Sequence, residues 1–170
     1  GTEILPLLLG GGQERGVRSG TEDVAAASGL AEALSISQRS SVQQGQKLAD
    51  LRDWLHNELI KLIPGAVVNG PDCAEINRYE LNRLPNNLNF SFPGVDGEAL
   101  MLYLDSYNIC VSTGSACSST NPEPSKVILA ISGNDKQRAD SSIRITLGKQ
   151  TTKTELKYLC QVLPGLVEVL

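Results

Sequence analysis

Histidine is almost missing from this chain: His56 is the only one, and no C-x-x-C pair accompanies it. Those absences remove the spacings by which cysteine and histidine hold zinc or form a redox dithiol. No apolar run reaches membrane-spanning length; the longest, Ile4 to Leu9, is broken by Pro6 and reads as a buried extended segment. Basic charge is in deficit, with 15 Lys and Arg against 19 Asp and Glu, so no phosphate-binding face for nucleic acid is expected. The sequence also lacks a secretory signal pattern, internal repeats, low-complexity tracts, a Walker loop and a G-x-G-x-x-G fingerprint. Paired acids are absent too. Asp96 and Glu98 flank a helix start and read as capping residues.

With 170 residues and 41% apolar content, the chain is long enough for one ordinary core and one to two domains. Its four cysteines do not make a disulfide framework. Cys110 falls in an apolar, strand-like stretch, Cys160 on the buried stripe of a helix, and Cys73 and Cys117 in loops. A reducing, cytoplasmic setting follows from that distribution. His56 falls in a helical segment and reads as a solvated surface histidine, a Cys117–His56 hydrolase dyad being the alternative.

Periodicity and punctuation give the elements. A glycine-rich stretch, Gly10 to Gly20, leads to Thr21, which can cap a helix with Val24, Ala27, Ala31 and Leu34 at helical spacing. A second helix is predicted over roughly Gln43 to Ile63, striped by Leu48, Leu51, Leu55, Leu59 and Leu62 and stopped by Pro64-Gly65. Strands are expected at Ala66–Asn69, Asn87–Phe92, Ile109–Thr113 and Ser142–Leu147. Helices are expected at Gly97–Tyr107 and Pro124–Ile131, with a short turn at Asp135–Asp140. The last helix follows the capping box Thr152-Lys-Thr-Glu155 and buries Leu156, Leu159, Cys160 and Leu163. The sum is an α+β or α/β sandwich, a sheet with helices mostly on one face.

Three pieces carry chemistry. Cys117 sits in Ser112-Thr-Gly-Ser-Ala-Cys-Ser-Ser-Thr120, among small residues that leave a thiol accessible. No basic residue lies between Ser112 and Pro124 to lower its pKa, so activation must come from elsewhere. Gly10 to Thr21 offers backbone N–H groups, a hydroxyl and a helix N-terminus to an anionic phosphate. Arg144 lies in a strand whose neighbours Ile143 and Ile145 face the other way, and is placed to grip a carboxylate with paired hydrogen bonds. The plain alternatives are an incidental loop cysteine, a flexible connection and a solvent-facing arginine.

Six segments in order carry a resemblance: Gly10-Gly-Gly-Gln-Glu-Arg15, Arg18-Ser-Gly-Thr21, Leu84-Pro-Asn-Asn-Leu-Asn-Phe-Ser91, Ser112-Thr-Gly-Ser-Ala-Cys117, Glu123-Pro-Ser125 and Ser142-Ile-Arg144. Over nearly the whole chain it resembles the C-terminal part of the cysteine desulfurases, aminotransferase-class-V members of the fold-type-I pyridoxal phosphate enzymes. The resemblance implies the small C-terminal domain of such a transferase plus the end of its large domain. Residues 1–42 would be the end of the large cofactor domain and a connecting helix, and 43–170 the small domain with the catalytic cysteine loop. Cys117 would attack the sulfur of L-cysteine and become a persulfide, with pyridoxal 5′-phosphate as electron sink and L-alanine released. The long loop is similar to that of enzymes that feed iron–sulfur scaffold proteins directly, where the Cys117 persulfide would be a transient ligand to a nascent cluster. Arg144 matches the residue that holds the substrate carboxylate. Thr21 matches one whose hydroxyl reaches the cofactor phosphate of the neighbouring subunit, which implies a homodimer.

Two departures stand beside the match. The stretch Ala130 to Asp140 is one residue longer than the pattern, and the cofactor lysine, carried in the family just after a histidine, is missing because Asn57 follows His56. The aspartate for the pyridine nitrogen and the ring-stacking residue would lie before Gly1. The expectation is a C-terminal portion that does not turn over cysteine alone. A non-catalytic sulfur-relay or scaffold-docking module and a selenocysteine lyase are the alternatives. The sulfur acceptor is left open among cluster scaffolds, tRNA thiolation and cofactor pathways.

Overall fold

The computed structural model describes residues 2–71, 83–114 and 124–170. Cys117 and Cys73 lie outside them. The chain divides into two compact units, Gly1–Val42 and Gln43–Leu170.

In the first unit an extended lead-in reaches a short 3₁₀ turn, Glu14–Gly16, and then helix α1 begins at Val24. The capping residue is Asp23, not Thr21: its Oδ1 accepts the Ala26 N–H at 2.9 Å, satisfying one of the first-turn donors. The two predicted helices are one, because α1 runs Val24–Leu62 without interruption. The apolar stripe lapses around Ser40 to Gln44, but nothing there breaks a helix: it contains no proline, and Gln and Ser are tolerated on an exposed surface. Apolar side chains along this unit are exposed, among them Leu5, Leu7, Leu9, Leu30 and Val42.

The second unit holds the core. Strands β1 (Val67–Val68), β2 (Asn87–Ser91) and β3 (Ser142–Thr146) form an antiparallel sheet in the order β1-β2-β3. Strict alternation sorts its two faces. Leu88, Phe90, Ile143 and Ile145 point to a core completed by Leu55 and Leu59 of α1, by Leu100 and Leu104 of α2 (Gly97–Ser106) and by Leu156, Leu159 and Leu163 of α5 (Lys153–Val169). Asn87, Asn89, Ser91, Ser142, Arg144 and Thr146 occupy the other face, near which lie the short helices α3 (Lys126–Ile131) and α4 (Lys136–Asp140). This is a mixed α+β arrangement, as expected.

Local chemistry explains the boundaries. Asp96 Oδ1 accepts from Glu98 and Ala99 N–H at 2.9 Å each to start α2, and Asp135 does the same for Arg138 N–H at 3.0 Å to start α4. The Thr152–Glu155 capping box closes both ways, and these bonds from Thr152 hold the Glu155 carboxyl below its ordinary pKa. Gly97 is forced by packing, because a Cβ there would stand 2.7 Å from the Asp140 carbonyl oxygen at the approach to β3.

Some expectations need correction. Ile63 is buried where Leu62 was expected, and Leu62 is 44% exposed. The predicted strand at Ile109–Thr113 reduces to one bridge, Ser112 to Arg144. Asn108 follows α2 with φ of 59°, and beyond it Ile109 and Val111 pack against the core while Cys110 between them is exposed. His56 is not on the surface. It is 6% exposed, with its ring centroid 6.0 Å from that of Phe90.

Candidate functional site

Arg144 projects from the polar face of β3, while Ile143 and Ile145 on either side anchor the strand in the core. Its backbone pairs with Ser112, Arg144 N–H donating at 2.6 Å and Ser112 N–H returning a bond at 3.1 Å. The guanidinium Nη2 donates to Ser112 Oγ at 3.2 Å, its one side-chain hydrogen bond among the described residues. An arginine has five N–H donors, so most of this fork is open to an anion. Directly across the ladder sits Asn89, and Asn69 donates its backbone N–H to the Asn89 carbonyl at 2.9 Å. Asn69, Asn89, Arg144 and Ser112 therefore form a polar row across the sheet.

That row borders a cleft of about 390 Å³, whose polar lining includes Asn87 and Ser125 and whose apolar lining includes Leu84, Val127 and Ile131. Arg83, also on the lining, is committed to backbone: it donates to the carbonyls of Pro71 and Asn87. Asn87 Oδ1 is buried and has no partner among the described residues. Gly114 and Ser125, which bracket the stretch containing Cys117, meet at this cleft. A Cβ on Gly114 would fall 2.2 Å from Ser125 Cβ, so glycine is the residue that allows the approach.

The first unit carries the glycine-rich turn. Glu14 and Arg15 both sit in the left-handed region, at φ of 51° and 57°, followed by Gly16 at 80°. Such values are uncommon for side-chain-bearing residues and mark a turn held by its surroundings. Gln13 provides part of that hold, its Oε1 accepting Gly20 N–H at 3.2 Å. Thr21 is exposed between Gly20 and the start of α1, and among the described residues its hydroxyl has no hydrogen bond. An open pocket of about 940 Å³ here is lined by Arg15 and Arg18 but also by Glu14, Glu22 and Asp23. Its charge is mixed, a weaker anion cradle than the glycine count suggests.

Of the predicted site residues, Arg144 lies in the second unit's cleft, Thr21 lies in the first unit, and Cys117 is outside the described residues. His56 packs on Phe90, whose side chain leaves β2 on the face opposite Asn89, and it does not line the cleft. Asn69, Asn89 and Ser112 escaped the sequence reading. The alternation Asn87-Leu88-Asn89 is a local signal for Asn89 alone.

Among the other thiols, Cys110 is exposed and Cys160 is half-buried against the core. Burial, with the Glu58 carboxylate nearby as a smaller cause, pushes the Cys160 thiol up from its ordinary 9.0 to about 11. Between those values the folded chain keeps a proton that the unfolded chain releases, so this group makes stability fall as pH rises above about 9. Alkylation followed by mass mapping should find Cys160 resistant at pH 8.5 and reactive only as the pH nears 11. Equal labelling of Cys160 in folded and denatured protein at pH 8.5 would contradict this.

The aminotransferase class-V family model matches residues 7–159. The cysteine desulfurase IscS of Dictyoglomus turgidum is 44% identical over 170 residues, covering 100% of this chain and 41% of that protein. Cysteine desulfurase IscS 1 of Archaeoglobus fulgidus is 36% identical, covering 99% of this chain and 41% of the relative. Among solved structures, a NifS-like protein superposes with a TM-score of 0.76 at 34% identity, covering 100% of this chain and 40% of that one. A NifS-like protein from Rickettsia africae gives a TM-score of 0.75 at 29% identity, with 98% and 41% covered. The chain thus spans about two fifths of the length of the relatives it matches. No described helix is long and apolar enough to cross a membrane.

Proposed function

The chain belongs to the aminotransferase class-V family, and from that membership we propose that it is the portion of a cysteine desulfurase that grips the substrate carboxylate and carries the sulfur. The observation that carries this reading is Arg144: an open guanidinium at a cleft where Gly114 and Ser125, either side of the Cys117 stretch, come into contact. Cys117 is three residues from Gly114 in the sequence. The family and its cysteine desulfurase relatives support the substrate, L-cysteine.

The parent enzyme's cofactor is pyridoxal 5′-phosphate, which when bound supplies an electron sink for bond changes next to the substrate amine. Toward its phosphate end this chain offers the Thr21 hydroxyl beside the Gly20 turn, with Arg15 and Arg18 on a pocket they share with Glu14, Glu22 and Asp23. On this reading Thr21 serves the site of a neighbouring subunit and the enzyme is a homodimer. The Schiff-base lysine, the partner of the pyridine nitrogen and the stacking residue belong to the rest of the parent enzyme, so this chain alone does not turn over cysteine.

Arg144 holds the substrate carboxylate through two parallel N–H bonds and so fixes where the substrate sulfur points. The Cys117 thiolate attacks that sulfur. An S–S bond forms, the carbon–sulfur bond breaks with its electron pair left on carbon, and protonation there gives L-alanine. The persulfide on Cys117 then passes its outer sulfur to an acceptor in the cytoplasm, an iron–sulfur scaffold protein or another thiolation pathway. On a scaffold, the Cys117 persulfide is a transient ligand of the growing cluster.

Arg144→Ala in the full-length enzyme tests the carboxylate grip. Loss of a charge-assisted pair worth about 1.5–3 kcal/mol should weaken L-alanine binding by roughly ten- to a hundredfold. Unchanged binding in a titration would remove Arg144 from the site.

A further inference from the structure

We infer that Asn89 is a second ligand of the substrate carboxylate, presenting an N–H to the cleft because Asn69 and Arg138 dictate which end of its amide faces outward. The inference rests on the reading of Arg144 given above and deepens it.

Arg138 can only donate. Its Nη2 donates to the Val68 carbonyl at 2.9 Å and its Nε to the Asn69 side chain at 2.7 Å. The atom of Asn69 that meets Nε must therefore be the oxygen, which leaves its Nδ2 on the other side. Asn69 is 4% exposed, so that amide nitrogen needs acceptors. It has two. Nδ2 donates to Ser91 Oγ at 2.8 Å and to the Asn89 side chain at 2.6 Å. Ser91 is free to accept, because its single hydroxyl proton goes to the Arg138 carbonyl at 2.6 Å.

The atom of Asn89 that meets Asn69 must then be Oδ1, which turns the Asn89 amide nitrogen away from Asn69. Asn89 is directly opposite Arg144 in the ladder, and the two share the polar face and the cleft. Among the described residues, Asn89 Nδ2 makes no hydrogen bond. The cleft thus offers a neutral N–H donor beside a guanidinium, a pairing suited to the two oxygens of a carboxylate. A reversed Asn89 would place a carbonyl oxygen there and repel it. Asn69 and Arg138 are positioning residues, acting through Asn89.

The test compares two ligands of the full-length enzyme by calorimetric titration: L-alanine, and L-alaninamide, in which the carboxylate is replaced by an amide. Asn89→Ala should lower the preference for L-alanine over L-alaninamide about tenfold, the weight of one hydrogen bond to a charged group. Asn69→Ala should lower it severalfold, and the double variant no further than Asn89→Ala alone, because Asn69 acts through Asn89. A merely structural role for Asn69 would weaken both ligands alike and add to the Asn89 effect, which would overturn the positioning claim. If Asn89→Ala proves unstable, Asn89→Leu, near in volume and without a donor, gives the same comparison. An unchanged preference in the Asn89 variant while Arg144→Ala collapses it refutes the role of Asn89 and leaves Arg144 standing. An unchanged preference in Arg144→Ala as well refutes the carboxylate site and this inference with it.

Discussion

Cys117→Ser in the full-length enzyme should abolish sulfur transfer, with turnover of L-cysteine down on the order of a thousandfold or more, as when other enzymes lose their nucleophile. The hydroxyl of serine is a far weaker nucleophile than a thiolate, and no persulfide can form on it. The carboxylate grip belongs to other residues, so L-alanine should bind as in the wild type. The check is a mass spectrum taken after incubation with L-cysteine: one added sulfur atom on the peptide carrying Cys117, and none on the serine variant. Both exposed Cys110 and half-buried Cys160 serve as internal controls and should remain unmodified. Sulfur release that persists in the variant would move the nucleophile elsewhere and leave the small residues around Cys117 without a catalytic purpose.

The second large effect concerns stability. Phe90 is wholly buried in β2, its ring stacked 6.1 Å from that of Phe92 and tilted against that of His56 at 6.0 Å. Phe90→Ala removes a side chain that touches the sheet and α1 together, and the rigid ladder limits collapse into the void. A cost of about 3–5 kcal/mol is expected. That is a large fraction of the roughly 5–15 kcal/mol that holds an ordinary domain. For a unit of this size it corresponds to a fall in melting temperature of roughly 10–20 °C by scanning calorimetry. A shift of only a degree or two would mean that the core relaxes around the gap, contrary to the close packing described.

The sequence made visible whatever depends on neighbours a few residues apart. Asp96, Asp135 and the Thr152–Glu155 box mark helix starts because a capping bond spans two or three residues. The alternation at Ile143, Arg144 and Ile145 gave the outward arginine for the same reason. What was hidden depends on distant partners. His56 is buried because Phe90 lies against it, and nothing within the helix announces that. The continuity of α1 through Ser40 to Gln44 was obscured by a lapse in the apolar stripe, which reports burial rather than helicity. The Asn69, Asn89 and Arg138 network joins three segments of chain, and no local pattern contains it.

The lining of the Arg144 cleft has a consequence for kinetics. Its described residues are amides, a hydroxyl, small and aliphatic groups and two arginines, with no carboxylate, imidazole, amine or thiol among them. Among the described residues, the wall of this cleft therefore carries none of the acids and bases that change charge near neutrality. Its hold on a carboxylate should be as firm at mild acid as at mild alkali. The bends of a pH–rate profile then belong to groups other than these described lining residues, such as the Cys117 thiol, the substrate's own amine or the catalytic groups in the rest of the parent enzyme.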